Sequence, residues 1–217
     1  MKYFIFSIDD GTVYDKKVID ILNKYHFKGT FNLNSGLEDF VWYLDDMPIK
    51  RLNLFENRDL YKGHEVASHS LTHPHLTSCN GEHIVYEVGE DIDRLEKIFD
   101  YRIKTFAFPF EDFDERCIAT IKYIRDIKCI RVSAINPSFL FPKDLHHIEI
   151  TSLDISDAIE KMEIFKERED GLFIFVSHSY DFEVNGTYSL LDALCQTISQ
   201  NKDIKVITMS ELYNIMK

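Results

Sequence analysis

An α/β protein, its parallel strands wrapped by helices into a closed or nearly closed barrel, is the fold this sequence predicts, on three observations. Short apolar runs of strand length alternate with longer amphipathic runs along the whole chain. The alternation recurs too many times for a small open sheet. The chain also has the size and balance for one core: 217 residues, 45% hydrophobic and 29% charged, which suits a single soluble domain spanning 1–217.

The elements follow in order. "YFIFSI" reads as the first strand and "DKKVIDILNKY", apolar at helical spacing, as the first helix. "GTFNLN" and "HEVASH" are the next strands, and "EHIVYEVGEDIDRLEKIF" is a long amphipathic helix behind them. "IKTFAF" and "DERCIATIKYIRD" repeat the strand-helix unit, "KCIRVS" and "HHIEIT" add strands, and "ISDAIEKMEIFKER" adds a helix. "GLFIFVSH", "SLLDALCQTISQ", "IKVITM" and "SELYNIM" complete the series as strand, helix, strand, helix. The stretch from Ser35 to Lys62 breaks the rhythm and holds the only tryptophan, Trp42. It reads as a lid or substrate loop, or as an ordinary insertion.

The formal net charge of -12 excludes nucleic acid and anionic membrane surfaces as main partners, because both need a basic face. "YFIF" meets "DD" too soon for a signal-peptide core or a membrane span, which predicts no membrane insertion and a cytoplasmic protein. Cys79, Cys117, Cys129 and Cys195 are scattered without a CxxC pair, as expected of reduced structural thiols.

"ASHSLTHPHL" brings His69, His73 and His75 together. Two histidines four apart share one side of a helical turn, the spacing that lets one divalent ion take both imidazoles, and Pro74 ends that turn in a loop. A catalytic ion usually takes a third protein ligand and keeps one position open. Barrel chemistry collects at the carboxyl ends of strands, and the reactive residues fall there: Asp9 and Asp10 in "SIDDG", the histidines after "HEVAS", "FAFPFED", and His178 closing "LFIFVSH". One carboxylate can bind a cation with His69 and His73 while the other stands beside the bound water as a base. "FSIDDGTVYD" also resembles the first motif of haloacid dehalogenase-type phosphatases, but Ile8 stands where those enzymes need a nucleophilic Asp.

With "SIDDG", "HSLTH", "FAFPF" and "FVSH" in this order, and "GTFNLNSG" and "GHEVASH" between the first two, the sequence resembles the polysaccharide deacetylases, the NodB-homology or carbohydrate esterase family 4 enzymes. The resemblance runs from Ser7 to His178. It implies a distorted (β/α) barrel of about seven parallel strands, NodB-like. It implies a divalent ion, most often zinc, held by Asp10, His69 and His73. It also implies Asp9 as general base, His178 as general acid and the backbone N–H of Phe110 as oxyanion donor. The metal lowers the pKa of its water from 15.7 toward about 7. The implied partner is an acetylated amino sugar in an oligo- or polysaccharide. A non-sugar amide substrate and a non-catalytic carbohydrate-binding barrel are the alternatives.

The third motif departs from the family, whose arginine beside the base aligns with Ala107, followed by Phe108. Asp9 is then expected to be unpaired, with a raised acid limb in the pH profile, unless Arg102, Lys104 or Arg131 reaches it from another direction. Asp154 and Asp157, a faint echo of the fourth motif, read as helix caps, and Asp181 is placed to orient His178 or to lie on a surface loop. His64 and His75 are read as structural, and His146 and His147 as rim residues without a motif. Trp42, Tyr43, Phe113 and Tyr180 are the candidates for stacking on sugar rings.

Overall fold

The computed structural model describes residues 1–217. The strands are β1 (Lys2–Asp9), β2 (Thr30–Leu33), β3 (Val41–Leu44), β4 (Met47–Lys50), β5 (Glu65–Ser68), β6 (Thr105–Ala107), β7 (Cys129–Ile135), β8 (Ile148–Ile150), β9 (Gly171–His178) and β10 (Ile204–Val206). The helices are α1 (Asp15–Lys24), α2 (Leu54–Asn57), α3 (Gly81–Phe99), α4 (Glu115–Ile121), α5 (Ile155–Phe165), α6 (Ser179–Val184), α7 (Tyr188–Gln200) and α8 (Met209–Met216). No helix is long and apolar enough to cross a membrane.

Strand β1 organises the sheet. Its whole length pairs with β9, from Lys2 opposite Gly171 to Asp9 opposite His178. Its other edge is shared, the first residues with β10 and the last with β2. From β2 the sheet runs through β5, β6 and β7 to β8, every pair parallel. Strand β8 then meets β9 at a narrow seam, a bridge between Ser152 and Phe175, which closes a ring of seven strands. Thr151 and Ile174 hold that seam from both sides: the Thr151 N–H donates to Ile174 O at 2.8 Å, and the Ile174 N–H donates to Thr151 Oγ1 at 3.0 Å. The architecture is the α/β, NodB-like barrel that the strand-helix alternation and the resemblance led one to expect.

The two-residue period of a strand sorts its side chains between two layers. On β1, Phe4, Phe6 and Ile8 pack outward into the large core with Val18, Ile19 and Leu22 of α1 and Leu191 and Leu194 of α7. Ile5 belongs to a separate inner cluster with Cys129, Ile148, Ile150, Ile174 and Val176. Met209 and Leu212 of α8 join that inner cluster, so the helix seals the amino-terminal end of the barrel. Its start is fixed by a capping box in which Thr208 and Glu211 satisfy each other's backbone N–H. Ser7 and Asp9 continue the inward parity of Ile5, which carries polar chemistry to the opposite, carboxyl-terminal mouth.

The sequence reading missed two features. Ser35–Lys62 contains the antiparallel hairpin β3–β4 and the turn α2, and "SYDFEV" after His178 is the helix α6 rather than a loop. The hairpin alternates too weakly to register, because three of the four residues of β3 are exposed and it has no buried face to advertise.

Candidate active site

Asp9 is the last residue of β1, flanked by His178 on β9 and Asn32 on β2. Asp10 then takes φ +85° and Gly11 φ +67°, turning the chain sharply. Gly11 has no substitute here, since a Cβ would lie 2.9 Å from Leu33 Cδ2 in a conformation that side chains disfavour. The turn keeps both carboxylates at the mouth: His69 Nε2 lies 3.9 Å from Asp9 Oδ2 and 3.9 Å from Asp10 Oδ1. His73 Nε2 is 3.5 Å from the same Asp10 oxygen. Donor atoms of Asp10, His69 and His73 all lie within 4.8 Å of one another.

The histidine segment is not the helical turn that its spacing suggests. Ser70 and His73 have φ of +65° and +56°, and the backbone groups bond outward instead of along a helix. Leu71 N–H donates to the Glu87 carbonyl at 2.9 Å, and the Thr72 N–H donates to the Glu87 carboxylate at 2.8 Å. The chain reverses between the two histidines, bringing their rings to 4.9 Å.

The donor chemistry fits a divalent ion. Burial holds His69 down to about 3 and also lowers His73, so both imidazoles are neutral at physiological pH. His69 Nδ1 lies 2.8 Å from the Ala107 carbonyl and donates to it, which leaves the Nε2 lone pair facing Asp10. Burial raises the Asp10 carboxyl, but Arg51, with His178, His69 and His73, outweighs it and holds the group well below the usual carboxylate range. An ionised carboxylate and two neutral imidazoles are the ligand states a zinc-like ion requires.

Asp9 is not left unpaired. Arg131, on β7 and opposite Ala107 in register, reaches its Oδ2 at 2.7 Å, and Asn32 Nδ2 donates to its Oδ1 at 2.6 Å. Arg102 instead pairs with Glu96 at the surface, and Lys104 precedes β6 at the other end of the barrel. His178 Nδ1 lies 2.9 Å from Asp181 Oδ2, so Asp181 is a partner of the imidazole rather than a free loop residue. Burial works to lower the His178 pKa, but the Asp181 bond and the charges of Asp10 and Asp9 push it up to about 9. A divalent cation beside Asp10 opposes that rise.

Phe110 stands in the left-handed region at φ +58°, its carbonyl accepting from Ser133 Oγ at 2.7 Å. His75 stacks face to face on its ring at 3.8 Å while meeting Asp112 at 3.1 Å, and the Phe110 ring abuts His73 at 4.5 Å. Tyr180 stacks on His178 at 4.8 Å and meets Trp42 edge-on at 5.4 Å, which places both at the mouth. Tyr43 is on the exposed hairpin, and Phe113 packs against Phe108 and His147 instead of the site. His64 accepts from the Gly29 N–H at 3.1 Å, Asp154 caps α5, and His146 closes a turn with Asp144.

Sequence reasoning missed Arg51, Asn32 and Asn34. The two asparagines carried a signal, as inward-parity polar residues in the fully buried strand run "TFNLN". Arg51, in the irregular segment, carried none.

A polysaccharide deacetylase family model matches residues 1–125. The uncharacterized protein YlxY of Bacillus subtilis is 24% identical over 118 residues, 54% of this chain and 34% of that protein. Chitin deacetylase 1 of Cryptococcus neoformans is 28% identical over 111 residues, 51% of this chain and 21% of that protein. The chain thus spans at most about a third of these curated relatives. Two solved structures share the fold across nearly all of this chain. One is the CE4 domain of a multidomain xylanase from the hindgut metagenome of Trinervitermes trinervoides (TM-score 0.68, 21% identity, 99% of this chain and 91% of that one). The other is a CE4 family pseudoenzyme from Bacillus anthracis (TM-score 0.66, 16% identity, 98% and 65%).

Proposed function

The chain belongs to the polysaccharide deacetylase family, and from that premise we propose that it is a metal-dependent hydrolase that removes N-acetyl groups from an amino sugar in an oligo- or polysaccharide. One observation carries the reading: at a single barrel mouth, the Asp10, His69 and His73 donors adjoin an Asp9–Arg131 pair and a His178–Asp181 pair. The family match ends before Arg131 and His178, so their part rests on geometry.

Amide hydrolysis needs a strong nucleophile, a polarised carbonyl and a proton for the departing nitrogen. Asp10, His69 and His73 would hold a divalent ion, for which zinc is our proposal, and which when bound would supply Lewis acidity and a water of lowered pKa. Asp9 accepts the proton of the attacking water, with Arg131 and Asn32 fixing which oxygen lone pairs face the site. His178 carries the proton the leaving amine takes, and Asp181 on Nδ1 sets the tautomer that leaves Nε2 to deliver it. The Phe110 N–H is the donor for the oxyanion. Trp42 and Tyr180 stand at the entrance, where a sugar chain would pass.

The test is acetate release from N-acetylated chitooligosaccharides, peptidoglycan fragments and small amides by the zinc-loaded protein, with Asp9→Asn and His178→Ala as controls. Release from the sugars, lost in both variants, supports the reading. Release from small amides alone moves the substrate off carbohydrate. Bound metal without any release makes the chain a non-catalytic barrel, a reading against which Arg131 weighs by taking the place left by Ala107.

A further inference from the structure

We propose that Arg51 and Asn34 form a clamp that fixes Asp10 relative to the His69–His73 segment and thereby sets affinity for a divalent ion. The inference rests on the metal site proposed above and assigns two positioning residues to it. Arg51 follows the β3–β4 hairpin, and its side chain is 7% exposed. Its backbone is locked on both sides: Arg51 N–H donates to Phe40 O at 2.9 Å, Thr12 bridges to it, and Leu52 N–H donates to Gly11 O at 2.9 Å.

One guanidinium then makes three contacts. Nη2 reaches Asp10 Oδ1 at 3.0 Å, while Nη1 donates both to the Asp10 carbonyl and to Asn34 Oδ1. Asn34 passes the constraint on, since its Nδ2 donates to the carbonyls of His69, at 2.5 Å, and Ser70, at 2.8 Å. The amide orientation is dictated, with oxygen toward the guanidinium and nitrogen toward the carbonyls. Asp10 directly follows β1 and His69 directly follows β5, so the relay ties together the two loops that supply the donor set. Lysine, a point charge on a single stem, cannot make the forked contact.

Charge alone argues the other way, because a guanidinium beside a cation site repels the cation. The two accounts differ in sign, and Trp42, whose ring lies 5.2 Å from the Arg51 guanidinium carbon, is the chain's only tryptophan and reports locally. The experiment is titration of zinc into metal-stripped protein, followed by Trp42 fluorescence and by chelator competition, for wild type, Arg51→Lys, Arg51→Met and Asn34→Ala, with folding checked by circular dichroism. The clamp predicts Kd weakened about 10–100-fold in each, the range for removing such outer supports. Tighter binding by Arg51→Met, or an unchanged Kd in folded Arg51→Lys and Asn34→Ala, overturns it while leaving the metal site standing. Absence of binding by wild type overturns both. Should Arg51→Met fail to fold, the other two variants decide.

Discussion

At the residue scale, the site differs from its family pattern by a displacement of one arginine. Ala107 leaves the expected position empty of charge, and Arg131, its register partner on the next strand, contributes the guanidinium from the side. Arg131→Ala leaves Asp9 buried without that partner, and acetate release is expected to fall by about 100-fold or more, comparable to misplacing a catalytic group. Adding Ala107→Arg to that variant restores part of the rate. A second prediction concerns Asp15, where burial, opposed by bonds from Ser179, Tyr61 and Thr12, pushes the pKa from 3.8 up to about 7. The folded chain therefore holds a proton that the unfolded chain gives up. This stability is fully present below 3.8 and is lost as pH rises through about 7. In Asp15→Asn, urea midpoints lose that slope. Asp9 with Asp10, and His69 with His73, were legible as close pairs, and His178 by its place at the end of an apolar strand. Arg131 was legible only as one of three choices, because which cation reaches Asp9 depends on strand register, and sequence does not display it.

At the element scale, α3 carries more than its length suggests. Its buried side contains Ile84, Val88, Ile92 and Leu95, but also Glu87 and Asp91. Two carboxylates on an apolar stripe were a readable anomaly, and the structure explains it. Asp91 accepts from Ser35 N and Oγ and from Ser68 Oγ at 2.6–2.7 Å, and Glu87 accepts from Thr72 N and Oγ1 at 2.7–2.8 Å. The helix thus scaffolds the histidine loop. Glu87→Leu strands the Thr72 N–H and should cost about 1–3 kcal/mol. Hydrogen exchange checks it: amides of residues 70–73 speed up while α3 keeps its protection. The helices and barrel strands were legible from periodicity, whereas the His69–His73 reversal was not, since it depends on partners in α3 and β2 that lie far off in sequence.

At the scale of the whole molecule, closure is concentrated at the β8–β9 seam, where Thr151 serves as both backbone donor and side-chain acceptor for Ile174. Thr151→Val keeps the shape and deletes the acceptor, so unfolding free energy drops by about 1–3 kcal/mol, measured in urea, and the Ile174 amide exchanges faster. The strands of the barrel were legible in the sequence, but the seam that closes the ring was not, because it is a property of the last junction and not of any one strand. The pairing of β1 has a kinetic consequence. Its partners include a near neighbour, β2, and two strands from the far part of the chain, β9 and β10. Loop-closure entropy makes such distant pairings slow to form. Asp9 and His178 meet only through that pairing, whereas His69 and His73 are adjacent from the start. On the proposed roles, a nascent chain gathers its ion ligands early and its acid–base couple last, so maturation order withholds hydrolysis until the ring has closed.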